Sequence, residues 1–128
     1  MTAKKIIDSF IAQKTIAVAG VSRSGMGFGC LVLKHLAAKD YEVLPVHPSA
    51  SEVEGFRCYP SLAQLPKPAD ALVLVVPPEQ TEILVREAFA QNIRRIWMQP
   101  GAESPEAVRF CERNGIELVY GGDCVLVL

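Results

Sequence analysis

A glycine-rich loop is the part of this sequence best suited to holding an anion. Its residues, in order, are Gly20, Val21, Ser22, Arg23, Ser24, Gly25, Met26, Gly27, Phe28 and Gly29. Glycines permit positive φ angles and let backbone N–H groups approach an anion closely, and the helix expected to follow adds unpaired N–H groups and a positive dipole end. Arg23 can add a charge-assisted contact to a phosphate oxygen, and Ser22 and Ser24 can add hydroxyl donors. The loop therefore suits a phosphate.

This loop matches neither of two common nucleotide-binding motifs. It lacks the Gly-Lys-Ser/Thr tripeptide of a P-loop, and the nearest lysine, Lys34, lies well inside the expected helix. Folds that bind NAD place an Asp or Glu at the end of the second strand, about 20 residues past the glycines. Here that place is taken by Val46, His47 and Pro48, without a carboxylate. A small oxidoreductase or enzyme subunit that binds NAD(P) remains an alternative. The missing carboxylate argues against it.

Three loops that contain proline are expected at the same edge of the sheet as the glycine loop. They include His47-Pro48, Pro77-Pro78 and Gln99-Pro100. Prolines fix φ and give loops of defined shape, which suit an extended ligand held largely by backbone groups. Helix starts alone can explain Pro78 and Pro105. Because all three loops converge on the glycine loop, we favour ligand binding.

Few residues are candidates for catalysis. His47 is expected at a strand end beside the groove, but no carboxylate or nucleophile that would partner it is recognisable, and His35 is expected on a solvated helix face. The four cysteines are Cys30, Cys58, Cys111 and Cys124. They occur singly, without a CxxC pair, which predicts reduced thiols and no zinc site. We predict no catalytic residue and no metal ligand, and favour a binding protein over an enzyme.

Composition and charge exclude several classes of protein. The chain has 128 residues, 50% of them hydrophobic and 21% charged, which suits one compact domain over residues 1–128. With 13 basic and 14 acidic residues the net charge is −1, so there is no basic surplus for nucleic acid or an anionic membrane. No apolar run approaches the roughly 20 residues of a membrane-spanning helix, and the N-terminus lacks the features of a signal peptide. We expect a cytoplasmic protein.

Short apolar runs alternate with longer amphipathic stretches, which predicts an α/β fold. The predicted strands are Thr15–Gly20, Glu42–Val46, Ala71–Val76, Arg95–Gln99 and Ile116–Tyr120. The predicted helices are Ile6–Ala12, Gly29–Lys39, Glu79–Gln91 and Pro105–Asn114. Continuous apolar strands imply burial on both faces, so we expect a doubly wound domain with a parallel sheet between two layers of helices.

Apolar residues at helical spacing indicate which helix faces pack on the sheet. They are Leu31, Leu33, Leu36 and Ala37 in the second helix, and Ile83, Leu84, Val85, Ala88 and Phe89 in the third. Ser104 is expected to cap the fourth helix, and Glu79 and Glu103 are expected at helix starts, where a carboxylate meets the dipole. The apolar end, residues 124–128, is expected to form a last strand at the sheet edge or to pair with a second copy, so a homodimer is a prediction.

Four segments taken together resemble a known family. They are IAVAGVSRSGMGFG, YEVLPVHPSASEVEGFRCYPSLAQLPKPAD, LVLVVPPEQT and IWMQPGAES. Their order resembles the small stand-alone CoA-binding domain proteins, which are similar to the N-terminal CoA-binding domain of the succinyl-CoA synthetase alpha subunit. The resemblance covers nearly the whole chain. It implies a single Rossmann-like domain, with a mainly parallel five-stranded sheet and helices on both faces, and CoA or an acyl-CoA as the ligand.

The resemblance also implies which residues hold this ligand. Gly20–Gly25 would hold the pyrophosphate, and His47 and Pro48, after Val46, would lie by the adenosine. The rest of the groove would be lined by Pro77, Pro78, Gln99 and Pro100. The chain has His47 where relatives usually carry Asn. The synthetase's phosphorylated histidine lies in a second domain, so ligase chemistry is not expected of this chain alone.

Three hypotheses compete on this basis. The first is a non-catalytic protein that binds CoA or acyl-CoA and either senses CoA or delivers it to a partner enzyme. The second is the NAD(P)-binding oxidoreductase or subunit, and the third is an assembly protein with a vestigial nucleotide groove. Disulfide exchange between a ligand thiol and Cys30 or Cys124 is a further alternative.

Overall fold

The computed structural model describes residues 3–122 and 124–127. The α-helices of this part are α1 (Ala3–Ile11), α2 (Phe28–Ala38), α3 (Pro78–Ala90) and α4 (Pro105–Arg113). The strands are β1 (Thr15–Ala19), β2 (Glu42–Val46), β3 (Glu52–Val53), β4 (Phe56–Arg57), β5 (Ala71–Leu74), β6 (Arg95–Met98) and β7 (Glu117–Val119). Short 3₁₀ turns lie at Leu62–Gln64 and Val125–Val127. Among the described helices, none is long and apolar enough to cross a lipid bilayer.

Five strands form a parallel sheet in the order β2-β1-β5-β6-β7. Ala17 in β1 pairs with Leu44 of β2 on one side and with Leu72 of β5 on the other. The chain leaves β1 for β2 on one side and returns to β5 on the other, so the strand order reverses at β1. Ligands of open α/β sheets bind beyond the carboxyl ends of the strands at such a point. The predicted Rossmann-like, doubly wound sheet is confirmed.

Helices cover both faces of this sheet because successive strand residues point in opposite directions. Val18 belongs to a core that α1 and α2 complete, with Phe10 and Leu33. The preceding residue, Ala17, belongs to the opposite core, which α3 and α4 complete and which contains Val85. Each strand of the centre is therefore buried on both faces, as its continuous apolar sequence predicts.

A small hairpin follows β2 and supports its carboxyl end. Strands β3 and β4 pair antiparallel, and the chain then runs on to Tyr59, which forms a parallel bridge with Val46. The N–H of His47 donates to the Tyr59 carbonyl at 2.9 Å, and the N–H of Tyr59 donates to the Pro45 carbonyl at 3.0 Å. The turn after β2 is thereby anchored on its outer side.

The C-terminal run is not a strand, so that sequence prediction is wrong. Residues Val125–Val127 form a 3₁₀ turn against α2, and the Val125 side chain is fully buried. The Val125 N–H donates to the side-chain oxygen of Gln99 at 2.7 Å, instead of to a neighbouring strand. An apolar run can therefore be buried without joining the sheet. Leu128, the last residue of the predicted strand, lies outside the described residues.

Two apolar residues predicted to face the core lie on the surface. Leu31 of α2 is 51% exposed and Ile83 of α3 is 61% exposed, whereas Leu33 and Leu36 are fully buried as predicted. The buried stripe of each helix is narrower than its apolar stripe, because a helix on a sheet touches it along one line. Part of the apolar surface is left at the edge of the sheet where the candidate site lies.

Of three residues predicted at helix starts, two lie there in the structure and one does not. Ser104 caps α4 as predicted, since its hydroxyl accepts the N–H of Ala107 at 3.4 Å. Glu103 does not begin a helix. Its carboxylate instead accepts the N–H of Gly101 at 2.7 Å, because the preceding proline–glycine turn leaves that N–H pointing towards it. Glu79 lies in the first turn of α3, as predicted.

Candidate functional site

Two glycines bring the loop after β1 into direct contact with the sheet and with α2. A Cβ on Gly20, whose φ is 114°, would lie 2.0 Å from the carbonyl oxygen of Val75. A Cβ on Gly29 would lie 2.1 Å from the carbonyl oxygen of Gly20. Real Cβ atoms do not approach backbone oxygens this closely, so glycine is required at both positions. The first turn of α2 therefore lies directly on the backbone of the loop.

Hydrogen bonds within the loop fix its shape. The Ser22 hydroxyl donates to the carbonyl oxygen of Met26, and it lies 3.1 Å from the Ser24 hydroxyl. The N–H of Gly25 donates to the Ser22 carbonyl at 3.1 Å. Helix α2 then starts after Gly27 without a side-chain cap. A helix start with no capping oxygen is suited to an anion from outside the chain.

The ring of His47 closes the turn after β2. Its Nδ1 accepts the N–H of Ala50 at 2.8 Å and the N–H of Ser49 at 3.1 Å. A nitrogen that accepts carries no proton, so the neutral ring has its proton on Nε2. The ring thus does the work that an Asn or Asp oxygen does when it caps a turn.

Arg23 connects the glycine loop to this turn. Its guanidinium donates to the Ser49 hydroxyl, while the side chain lies at the surface. The bond bridges two segments that are 26 positions apart in sequence. It places a permanent positive charge between the predicted phosphate loop and the turn that His47 holds.

A cleft of about 310 Å³ opens at the carboxyl ends of β1 and β2, against α3. Five residues predicted from the sequence line it: Gly20, Val21, Val46, His47 and Pro48. The sequence prediction missed other lining residues, among them Pro60, Ser61, Gln80, Ile83, Leu84 and Glu87. Ile83 and Leu84 of α3 were missed because their helical spacing indicates core packing. The one sequence property that could have identified them is an apolar stripe too wide for a single sheet contact.

A second cleft of about 340 Å³ lies beside the first at the carboxyl ends of β5 and β6. Pro77 and Pro100 line this cleft, as does Phe28 at the start of α2. Val76 lines both clefts, so they are neighbours on one edge of the sheet. Ser22–Gly25 and Pro78, which were also predicted, lie at this edge but line neither cleft.

Gln99 is buried and points to the C-terminal segment. Its side chain is 1% exposed, its oxygen accepts the Val125 N–H at 2.7 Å, and its Nε2 lies 3.2 Å from the Cys124 sulfur. Both ends of the amide are therefore engaged within the protein. The structure brings Gln99 to the predicted edge of the sheet but not into the lining of either cleft.

A carboxylate lies against the predicted phosphate loop. A Cβ on Gly25 would lie 2.0 Å from Oε1 of Glu54, so the carboxylate touches the loop at this glycine. The ammonium of Lys34 is 3.3 Å from the other oxygen of Glu54, and both side chains are partly exposed. The ion pair offsets the negative charge of Glu54 beside the loop. Lys34 lies inside α2, so its part in this pair was not apparent from the sequence.

The thiols lie mostly in the core. Cys30, Cys58 and Cys111 are buried and unpaired, and Cys124 is half-buried. Burial raises the pKa of Cys111 to about 12 and raises the pKa of Cys58. The Cys30 thiol donates to the Ser22 carbonyl at 3.6 Å, beneath the loop. Within residues 3–122 and 124–127, no three His, Cys, Asp or Glu side chains group in a way that could hold a metal ion.

A family model described as "CoA binding domain" matches residues 14–128, which include both clefts and the whole glycine loop. The chain belongs to the CoA-binding domain family. This membership confirms the resemblance drawn from the sequence segments. It supports CoA as the general class of ligand.

Relatives of this CoA-binding domain include both large ligases and small single-domain proteins. An ADP-forming acetate–CoA ligase from Archaeoglobus fulgidus is 30% identical over 122 residues, which cover 88% of this chain and 18% of the ligase. A conserved hypothetical protein from Pyrococcus furiosus has a solved structure with 42% identity and a TM-score of 0.82, over 89% of this chain and 97% of that one. A hypothetical protein from Pyrococcus horikoshii matches with 28% identity and a TM-score of 0.90, over 99% and 89%. The CoA-binding domain thus spans less than a fifth of the ligase's length.

Proposed function

We propose that this chain binds CoA without transforming it, with the pyrophosphate on the loop Gly20–Gly25. The observation that carries this proposal is the close contact of Gly29 with the Gly20 carbonyl, which sets the uncapped start of α2 on the loop. Unpaired helix N–H groups and a positive dipole end favour a phosphate at this place. Arg23, held at the loop by Ser49, adds a guanidinium that can pair with a phosphate oxygen.

The two clefts suggest how the rest of the nucleotide is accommodated. In this proposal the adenosine lies in the first cleft, beside Val46, His47 and Pro48, and the remainder of CoA extends towards Pro77 and Pro100 at the second. Gly20 lines the first cleft and Phe28, at the other end of the loop, lines the second. The two ends of the loop thus contribute to the two clefts, which supports a pyrophosphate on the loop with the two parts of the ligand on either side. Pro78 and Gln99 contribute by shaping the backbone at these two strand ends.

A binding role without chemistry is supported by how the candidate catalytic groups are used. The Nδ1 of His47 accepts two backbone N–H groups, so this nitrogen is not a free base. The nearest thiol, Cys30, is 1% exposed beneath the loop. In such a role the chain would hold CoA for a partner enzyme or sense its concentration. Nothing at the end of β2 favours the NAD(P) alternative, since His47 stands where a ribose-binding carboxylate is expected.

The test is a calorimetric titration of the purified chain with CoA, dephospho-CoA and NAD at moderate salt, after removal of any nucleotide that co-purifies. We expect a micromolar or tighter Kd for CoA and much weaker binding of NAD. A weaker Kd for dephospho-CoA than for CoA would indicate contacts to the 3′-phosphate. Tighter binding of NAD than of CoA, or no heat from any of the three, would contradict the proposal.

The position of the pyrophosphate is tested by Ser22→Glu, which puts a carboxylate on the loop. The new carboxylate would repel the phosphates bound on the same loop, so the Kd for CoA should rise by at least about tenfold. Ala12→Glu is the matched control, because it adds the same charge at the amino-terminal edge of the sheet, between α1 and β1. Both variants should keep the thermal unfolding midpoint within a few degrees. Equal CoA affinities in the two variants would place the phosphates elsewhere.

A further inference from the structure

The second cleft differs from the first in the chemistry of its walls. The first includes His47, Ser61, Gln80 and Glu87. The residues found lining the second are Phe28, Val75, Val76, Pro77, Pro100, Gly101 and Ala102, none of which has a charged, amide or hydroxyl side chain. The polar surface of this wall therefore comes from backbone groups, and its side chains offer hydrocarbon contacts only. Such a wall gains from a hydrocarbon, whose transfer out of water is favourable.

Exposed apolar side chains occur where α2 begins, and one of them lines this cleft. Phe28 is 44% exposed, Met26 is 74% exposed and Leu31 is 51% exposed. Single exposed apolar residues are ordinary on a protein surface, but here three lie within six positions at the start of one helix. Of the three, Phe28 lines the cleft. Its ring presents apolar surface that the folded chain does not cover.

The order of the sites along the sheet edge identifies what could reach this surface. Gly20, at the start of the glycine loop, lines the first cleft, and Phe28, near the end of the loop, lines the second. A nucleotide seated with its phosphates on the loop directs its non-nucleotide arm towards the second cleft. In CoA that arm ends in a thiol, and in an acyl-CoA it ends in an acyl group.

We propose that the second cleft takes the hydrocarbon chain of an acyl-CoA, so that the site prefers thioesters with apolar acyl groups to free CoA. This inference rests on the proposed CoA-binding function. The occupant is a short acyl chain, since a cleft of about 340 Å³ is at the small end of ligand sites. Each methylene that is fully buried should tighten binding about fourfold.

The experiment compares the Kd values of CoA, acetyl-CoA, butyryl-CoA and hexanoyl-CoA, measured by calorimetry with one preparation. The ratio of the Kd for CoA to the Kd for hexanoyl-CoA should be at least about ten, and the affinities should rise in the order of chain length. Hexanoate alone should give no detectable binding at the same concentration. If all four ligands bind with the same affinity, the acyl-chain inference is overturned, while the proposed CoA-binding function stands.

Phe28→Ser tests the location of the acyl chain. Removing the ring should lower the ratio of the two Kd values towards one, because the apolar wall is lost. Leu31→Ser is the matched control, since Leu31 lies on the same helix with similar exposure but does not line the cleft, and it should keep the wild-type ratio. An unchanged ratio in Phe28→Ser, with both variants folded by circular dichroism, would overturn the assignment. Failure of CoA itself to bind the wild type would instead contradict the proposed function.

Discussion

The guanidinium of Arg23 donates a hydrogen bond to the hydroxyl of Ser49, and this bond joins the loop after β1 to the turn after β2. The N–H of Ser49 in turn donates to Nδ1 of His47 at 3.1 Å. The position of the Arg23 charge therefore depends on the ring of His47, through Ser49. An exposed arginine without such a hydrogen bond would sample many rotamers. Because the bond already restricts Arg23, a ligand that binds it loses less side-chain conformational entropy.

His47→Ala should weaken CoA binding by roughly five- to tenfold, because the N–H groups of Ser49 and Ala50 lose their acceptor and the turn loosens. His47→Asn should stay within about twofold of the wild type, since an amide oxygen can accept from the same N–H groups. Both values come from calorimetric titration. Failure of asparagine to restore binding would mean that the ring contacts the nucleotide directly.

Glu54→Gln should strengthen CoA binding by roughly two- to fivefold at low salt, because it removes a negative charge from the loop at Gly25. The gain should shrink as salt rises, since both partners of the Lys34–Glu54 pair are partly exposed and screened. Glu112→Gln, an exposed change of equal charge on α4, provides the comparison. A loss of affinity in Glu54→Gln would show that the carboxylate helps to shape the loop.

Alkaline pH should destabilise the fold through Cys111. Burial raises the pKa of this thiol to about 12 in the folded chain, above its ordinary value of 9.0. A group with a raised pKa stabilises the fold below its unfolded pKa and loses that contribution as pH rises towards the folded value. The free energy of unfolding should therefore fall by up to about 1.4 kcal/mol per pH unit above pH 9 from this group.

Cys111→Ala isolates this contribution from the other groups that titrate at high pH. The variant should be less stable near pH 7, since a small buried side chain is lost, but its stability should fall less steeply between pH 9 and pH 11. Urea unfolding with a reductant present gives both curves. Parallel slopes for wild type and variant would show that Cys111 ionises without unfolding.

Gln99→Leu should lower the free energy of unfolding by roughly 1 to 3 kcal/mol, because the buried N–H of Val125 loses its acceptor. Gln91→Leu, at the exposed end of α3, should change it by less than about 0.5 kcal/mol. The Cys124 thiol, which contacts the Gln99 amide, should also react faster with a thiol reagent in Gln99→Leu. Unchanged stability and thiol reactivity would mean that the C-terminal turn is held by Val125 packing alone.

Periodicity and burial account for most of what could be predicted. Five continuous apolar runs became the five parallel strands, and the glycine loop lies at the point where strand order reverses. These features depend on local pattern and on general rules of strand connection. The prolines Pro77 and Pro100 were placed at the correct edge for the same reason.

The rest depends on side chains that meet from distant parts of the chain. The C-terminal run was predicted as a strand because its composition indicates burial, but its hydrogen-bond partner is the Gln99 side chain, 26 positions away. The hydrogen bonds that His47 accepts from Ser49 and Ala50 depend on the orientation of its ring, which no simple sequence pattern indicates. Ile83 has the spacing of a core residue and still lines the first cleft, because the sheet covers only part of α3.

The contact between Gly29 and the Gly20 carbonyl has a consequence for how a ligand would bind. Loop, sheet and helix are in backbone contact, so the floor of the groove is preorganised once the chain has folded. The free-energy cost of ordering main-chain amides on binding is then small, and binding requires only side-chain movements. Association should be a single fast phase whose rate rises linearly with ligand concentration, without a later isomerisation step.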